Sequence, residues 1–332
     1  MIKKLNILSL ALVIASSIAP AAQAGDSLFQ KLDRKAKFIH GDNLVIRTPT
    51  EKGVAARAGV ETLAQRAAGL SAIMVTRNGD QYVSKLDPRD VALFEKAISD
   101  FEKLGGSPQM FGSAPKIPMR SGSDLFMPRV VIDADDRVQV TNTVSNPYWY
   151  YGRIGIGCTG TVISPKHVLT AGHCVSNGAG TWYSSLNFTV GQNGSYEPWG
   201  TQAWTRAVTT SAWHSSGDRN YDYALIVLAA PAHGGNSGWG VYSGGTHSVS
   251  GYPGDKSFGT MWTNSGGVWA SGSNRLCYTL DTAGGQSGSG ITDTSGYVRG
   301  VHTTGSSSQN CGTRMTSTVY NTLQDWITTY PN

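Results

Sequence analysis

CTGTVISPKHVLTAGHC, residues 158–174, holds two short apolar runs and ends on a histidine set between Gly172 and Cys174. Runs of the same kind recur at YALIVLAA (223–230) and VRGVHTTG (298–305), parted by turn residues in a background rich in Gly, Ser, Thr, Trp and Tyr. That texture begins after Arg129 and argues for an all-β sandwich or pair of barrels. The final segment departs from it. TSTVYNTLQDWITTY places Val319, Leu323, Trp326, Ile327 and Tyr330 at helical spacing, with Ser317 or Thr318 as the cap.

Upstream of Arg129 the chain reads differently. Its 332 residues would suit two ordinary domains, or one larger body with accessory segments. Lys3 and Lys4 precede the apolar run LNILSLALVIASSIA, and Ala22-Gln23-Ala24 has the small-x-small spacing of a signal cleavage site, so residues 1–24 are expected to be a secretory signal. The run is shorter than the ~20 apolar residues of a membrane anchor, and a soluble exported protein is expected, extracellular or periplasmic. Residues 25–129 are charged and Ala-rich. DPRDVALFEKAISDFEKLGG predicts a helix with Asp87 as cap, Pro88 in the first turn and Val91, Phe94, Ile98 and Phe101 on one face. SAIMVTRNGDQYVSKL predicts a hairpin about Asn78 and Gly79. This small α+β unit, followed by a Gly/Pro/Ser-rich linker, is expected to be a propeptide rather than a domain with its own function.

The formal charge of +5 is uneven. Residues 130–332 hold nine Lys or Arg against ten Asp or Glu, so the surplus lies in the segments ahead of them. The region has no basic stripe, and nucleic-acid binding is not expected. Export makes the cysteines informative, because disulfides persist outside the cytosol. Cys158, Cys174, Cys277 and Cys311 allow three pairings, of which sequence order favours 158 with 174 and 277 with 311. Structural zinc is set aside, since there is neither a CxxC pair nor an HExxH motif. No metal or cofactor is expected.

Three motifs stand in a meaningful order: TAGHC with His173, NYDYALIVL with Asp222, and GGQSGSG with Ser287. Serine hydrolysis needs a base, a carboxylate to orient it, and donors for the oxyanion. The glycines allow a sharp turn that aims the Gly285 and Ser287 amides at one spot. Gly-x-Ser-x-Gly also marks the α/β-hydrolase elbow, but there the order is Ser, acid, His and the serine leads from a strand into a helix.

On DDRVQVTNT, CTGTVISPKHVLTAGHC, NYDYALIVL, SGYPGDKSFGT, DTAGGQSGSG and GVHTTG, residues 130–332 resemble a secreted bacterial serine protease of the chymotrypsin fold, the glutamyl endopeptidase group. The resemblance implies two Greek-key β-barrels with the active site between them and a short C-terminal α-helix. It implies a serine endopeptidase forming an acyl-enzyme and cleaving protein or peptide substrates after Glu or Asp, made as a zymogen. It places the mature start at Val130, whose amine would lie near the substrate pocket, and departs from the animal enzymes in having Gln286 rather than an Asp before Ser287. Gly290 also departs from the family's usual proline. His302 is implied as the residue binding the substrate carboxylate, with Thr282, Thr303 and Thr304 as hydroxyl donors.

Asp281, six positions before Ser287, is the counter-signal, because trypsin-like enzymes bind Lys or Arg with a carboxylate at that spacing. The Arg129 to Val130 boundary is itself a trypsin-type site. Either a separate protease matures the chain, which is the expectation, or the enzyme cleaves after basic residues. An inactive homologue acting as a binding module would predict a damaged triad, and an esterase would share it. A monomer is expected.

Overall fold

The computed structural model describes residues 29–43, 62–103, 131–132, 134–233, 235–306 and 308–329. The signal-like segment 1–24, Arg129, Val130 and Tyr330 lie outside these residues.

The N-terminal unit supplies β1 (Gln30–Lys31), β2 (Phe38–Ile39), α1 (Leu63–Leu70), β3 (Ala72–Thr76), β4 (Gln81–Ser84) and α2 (Pro88–Lys103). Next come β5 (Val138–Val140), β6 (Tyr151–Ile154), β7 (Cys158–Ser164), β8 (His167–Thr170), β9 (Trp182–Tyr183), β10 (Phe188–Val190) and β11 (Thr201–Gln202). They are followed by β12 (Trp204–Thr210), α3 (Ser211–Ser216) and β13 (Ala224–Leu228). The last third supplies β14 (Thr246–Gly251), β15 (Met261–Ser271), β16 (Arg275–Tyr278), β17 (Gly290–Asp293), β18 (Val298–Gly305), β19 (Asn310–Arg314) and α4 (Ser317–Thr329).

These strands make the two-barrel, chymotrypsin-like fold. In the second barrel the order β14-β17-β18-β19-β16-β15 closes because β15 also pairs with β14. Closure removes every free strand edge. The first barrel runs β12-β13-β8-β7-β6-β10-β11, and only Ala203 separates β11 from β12, so chain continuity brings its ends together. β13 is buried along its whole length, which suits its unbroken apolar sequence ALIVL. Disulfides join Cys158 to Cys174 in the first barrel and Cys277 to Cys311 across β16 and β19 in the second.

The hairpin at Asn78-Gly79 forms as β3 and β4, with Gly79 at φ 86°. Asp87 caps α2, accepting from the Arg89 amide at 2.7 Å. Helix α4 forms but starts at Ser317 itself: its cap is Thr316, whose hydroxyl accepts from the Val319 amide, one residue ahead of Ser317 and two ahead of Thr318, the expected caps. Val319, Leu323 and Trp326 return to the first barrel's core, where Trp326 stacks on Tyr223. Two helices were not anticipated. For α1 the signal was present: Thr62 and Gln65 form a capping box, each side chain accepting from the other's amide. The single turn and a half of α3 is too short to show a period.

Candidate active site

Pairing of β8 with β13, Thr170 opposite Ala224, sets the first half of the site. His173 lies in the 3-10 turn Gly172–Cys174 that leaves β8, and Asp222 follows the turn Arg219–Tyr221 that enters β13. Asp222 is fully buried and grips the histidine twice. Its Oδ1 accepts from the His173 backbone amide at 2.9 Å and its Oδ2 pairs with Nδ1 at 2.8 Å. With Nδ1 held as the donor, Nε2 is left as the basic nitrogen.

Ser287 comes from the second barrel, on the loop between β16 and β17. Across the seam, the Thr159 amide donates to the Ser287 carbonyl at 2.9 Å and the Thr159 hydroxyl to the Gly285 carbonyl at 2.8 Å. Gly285 and Gly288 have φ of 99° and 87°, in the left-handed region that glycine favours. A Cβ at Gly288 would lie 2.1 Å from Thr170 Oγ1, so the barrels meet closely behind the serine. Among the described residues, the amides of Gln286, Gly288 and Ser289 have backbone acceptors, whereas those of Gly285 and Ser287 have none. Ser287 Oγ and His173 Nε2 are both buried, and neither makes a hydrogen bond, so the serine–histidine bond is not closed. Looseness at this bond is common in substrate-free enzymes.

His302 is completely buried on β18. Its Nδ1 pairs with Tyr278 Oη at 2.6 Å and its Nε2 has no partner. Burial, with His173 and Arg275 adding to it, pushes the His302 pKa down to about 3, so the free site holds a neutral imidazole. Burial raises the Tyr278 hydroxyl well above its ordinary range, keeping it protonated and able to donate to Nδ1. The proton then sits on Nε2, the unpartnered nitrogen. Thr282 Oγ1 is also buried without a partner. The Thr303 and Thr304 hydroxyls both accept from the Arg275 guanidinium, Thr303 at 2.9 Å, which does not use their protons; Thr304 in turn donates to the Cys311 carbonyl at 3.4 Å.

Both oxygens of Asp281 accept backbone amides, Ile132 at 2.7 Å and Asp136 at 3.0 Å. The carboxylate is 1 % exposed, and burial raises its pKa to about 6. It thus anchors the chain entering the protease region. Gln286 has a related part, with Oε1 accepting from the Ala283 amide at 2.9 Å and from Arg137 at 3.3 Å. Arg137 is buried in ion pairs with Asp135 and Asp255. Gly290 donates its amide to Thr161 Oγ1 at 3.1 Å, a bond that a proline could not make. Sequence reasoning missed Tyr278, Arg275, Arg137 and Thr159, since none stands in a motif that announces its partner.

The sequence model of the Trypsin family matches residues 135–327. The chain belongs to the trypsin family. This trypsin-family protein is a serine endopeptidase and has glutamyl endopeptidase relatives. It is 42% identical over 218 residues to the glutamyl endopeptidase of Bacillus licheniformis, covering 59% of this chain and 68% of that one. A glutamyl endopeptidase of Staphylococcus epidermidis is 28% identical over 193 residues, covering 53% and 66%. The solved structure of a Glu endopeptidase in complex with MPD superposes with a TM-score of 0.55 at 32% identity, over 59% of this chain and 98% of that one.

Another relative, 37% identical over 222 residues and covering 60% of this chain and 71% of its own, is named an extracellular metalloprotease of Bacillus subtilis. Among the described residues of the present chain, the metal-ligand types that cluster are Cys158, His173 and Cys174. Both sulfurs are joined in a disulfide and offer no thiolate, and His173 Nδ1 belongs to Asp222, so this set does not fit a metal.

Proposed function

We propose that this protein is an exported precursor of a serine endopeptidase that hydrolyses peptide bonds after Glu, or Asp, through an acyl-enzyme. Ser287 Oγ attacks the scissile carbonyl carbon as His173 Nε2 takes the hydroxyl proton. Asp222 holds the imidazole in register and stabilises its charged form. The tetrahedral oxyanion receives the Gly285 and Ser287 amides, each such donor contributing ~3 kcal/mol in the transition state. His173 then returns the proton to the leaving amine as the carbon–nitrogen bond breaks. Water, activated by the same nitrogen, attacks the ester, and the acid product leaves with Ser287 restored.

The observation that carries the acidic specificity is His302, a buried imidazole whose Nδ1 is committed to Tyr278 and whose Nε2 has no partner. A substrate carboxylate accepting from Nε2–H would satisfy it, with the orphan Thr282 hydroxyl as a second donor. The bound anion would also favour the imidazolium, offsetting the burial that keeps it neutral. Cleavage after Lys or Arg by way of Asp281 is the second reading. It is disfavoured because both oxygens of that carboxylate already accept backbone amides. The signal ending near Ala24 and the cut after Arg129 by a separate protease complete the reading.

The test is a peptide panel varying only the residue before the scissile bond. Cleavage after Glu that falls by at least ~100-fold in His302→Ala, while an activated ester substrate still acylates Ser287, supports the reading. Preference for Lys or Arg in the parent enzyme overturns it.

A further inference from the structure

Strand β12 is interior to its sheet only because β3 lies beside it. One edge pairs with β13, and the other pairs antiparallel with β3, from Arg206 opposite Thr76 to Thr210 opposite Ala72. The ladder continues at both ends, through Arg77 N donating to Thr205 O and Ser211 N to Ser71 O. A second strand addition lies nearby. β2 pairs in parallel with β9, with Trp182 N donating to Lys37 O and Ser184 N to Ile39 O.

The side chains follow the backbone. Phe29, Ala72, Ile73, Met74 and Val75 are buried in the same core as Val168, Leu225 and Ile226. The indole of Trp182, fully buried, donates to Gln81 Oε1 at 3.0 Å. Ala67, Leu70 and Val91 pack around Tyr221, the residue before Asp222. A Cβ on Gly69 would lie 2.4 Å from that ring, so α1 approaches it as closely as a glycine allows. Such a surface resembles a core cut in half, the character of permanent rather than transient interfaces. Stripping the unit away would leave β12 as a free edge beside newly exposed apolar side chains.

We propose that residues 29–103 stay bound after the chain is cut between 103 and 131, so that the processed protease is a two-chain molecule. The partner of the β12 and β9 surface is this one segment of the same chain, held by strand addition and a shared core. Among the described residues, hydrogen bonds from the unit reach residues 155, 182–184 and 205–211 of the first barrel. The pocket strand β18 lies in the second barrel, so docking and catalysis are compatible. The proposal builds on the reading of residues 25–129 as a propeptide but does not depend on which protease cuts them.

The test uses the full chain with Ser287→Ala and a recognition sequence for a site-specific protease inserted between Pro115 and Lys116. This cut is independent of Arg129, so failure of natural maturation at Arg129 is a separate result, read from the chain without the insert. After complete cleavage, one size-exclusion peak holding both fragments in native buffer, resolving into two in denaturant, is the expected outcome. Two peaks in native buffer overturn the proposal. Val75→Asp in the same cut chain is expected to abolish co-elution. Should that variant fail to fold, hydrogen exchange decides on the cut parent sequence. The β12 amides facing β3 are expected to exchange at least ~100-fold more slowly than an open strand, and exchange at open-strand rates overturns the proposal.

Discussion

The two barrels solve the same closure problem differently. The second barrel closes on itself, β14 meeting β15, and keeps its own small core of Val249, Val268, Leu276, Tyr278, Leu280 and Ile291. The first barrel takes a strand from outside the protease region, and its core extends into the N-terminal unit and α4. The self-contained body carries Ser287 and His302. The assisted body carries His173 and Asp222, and α1 packs on Tyr221 beside the acid. The candidate chemistry is thus divided between a barrel whose strands pair only within the protease region and one whose β12 also pairs with the segment ahead of it.

The largest expected effect comes from the group that ties the barrels together. Asp222 orients His173 from the first barrel, while its carbonyl accepts from Thr313 Oγ1 of the second at 2.8 Å. Asp222→Asn is expected to lower kcat by ~10⁴-fold with melting little changed, because only the tautomer is lost. Steady-state kinetics beside calorimetry would check it, and a loss under tenfold would refute the assignment.

Each barrel has one disulfide. Their spans are 16 residues in the first barrel and 34 in the second. In the chain-entropy model each contributes ~3 to 4 kcal/mol, and the longer loop should contribute about 0.7 kcal/mol more. Denaturant unfolding of the two paired Cys→Ser variants tests this. A larger loss from the first barrel's bridge would reverse the expectation.

At the seam, Gly288→Ala forces a Cβ against Thr170 and the Thr159 carbonyl at positive φ. An overpacking cost of ~1 to 3 kcal/mol is expected, together with lower kcat as the serine loop moves off the first barrel. A crystal structure with unchanged loop and unchanged activity would count against the seam as described.

A further effect concerns acid. Burial lowers the pKa of His302 in the second barrel to about 3 and of His214 in the first to about 4. The unfolded chain binds these protons near 6.5 and the folded chain does not, so between about pH 6.5 and 4 stability falls as pH falls. His302→Gln should flatten that slope in melting temperature, and an unchanged slope would show that His302 is not the neutral buried group described.

Much of this was legible in the sequence because it is local. Gly79 at a hairpin tip, Asp87 before Pro88, the helical spacing of Val319, Leu323 and Trp326, and alternation of short strands with turns each record a constraint spanning a few residues. The near order of the cysteines favoured the pairing that forms. The reach of the His173–Asp222 pair is longer, yet it too follows from motif order once a two-barrel fold is accepted.

What lay beyond the sequence shares one physical character. The direction of the Asp281 carboxylate depends on amides 145 and 149 residues away, and Gln286 on an arginine 149 away. The Tyr278–His302 bond and the joining of β3 to β12 likewise depend on which strands become neighbours. Spacing along the chain records periodicity and turn chemistry, whereas the partner of a buried polar group is set by packing between distant segments. Residue types and their order therefore announced a serine-protease fold, and three-dimensional packing alone turned Asp281 toward the entering chain, left His302 Nε2 without a partner, and made the N-terminal hairpin part of a barrel.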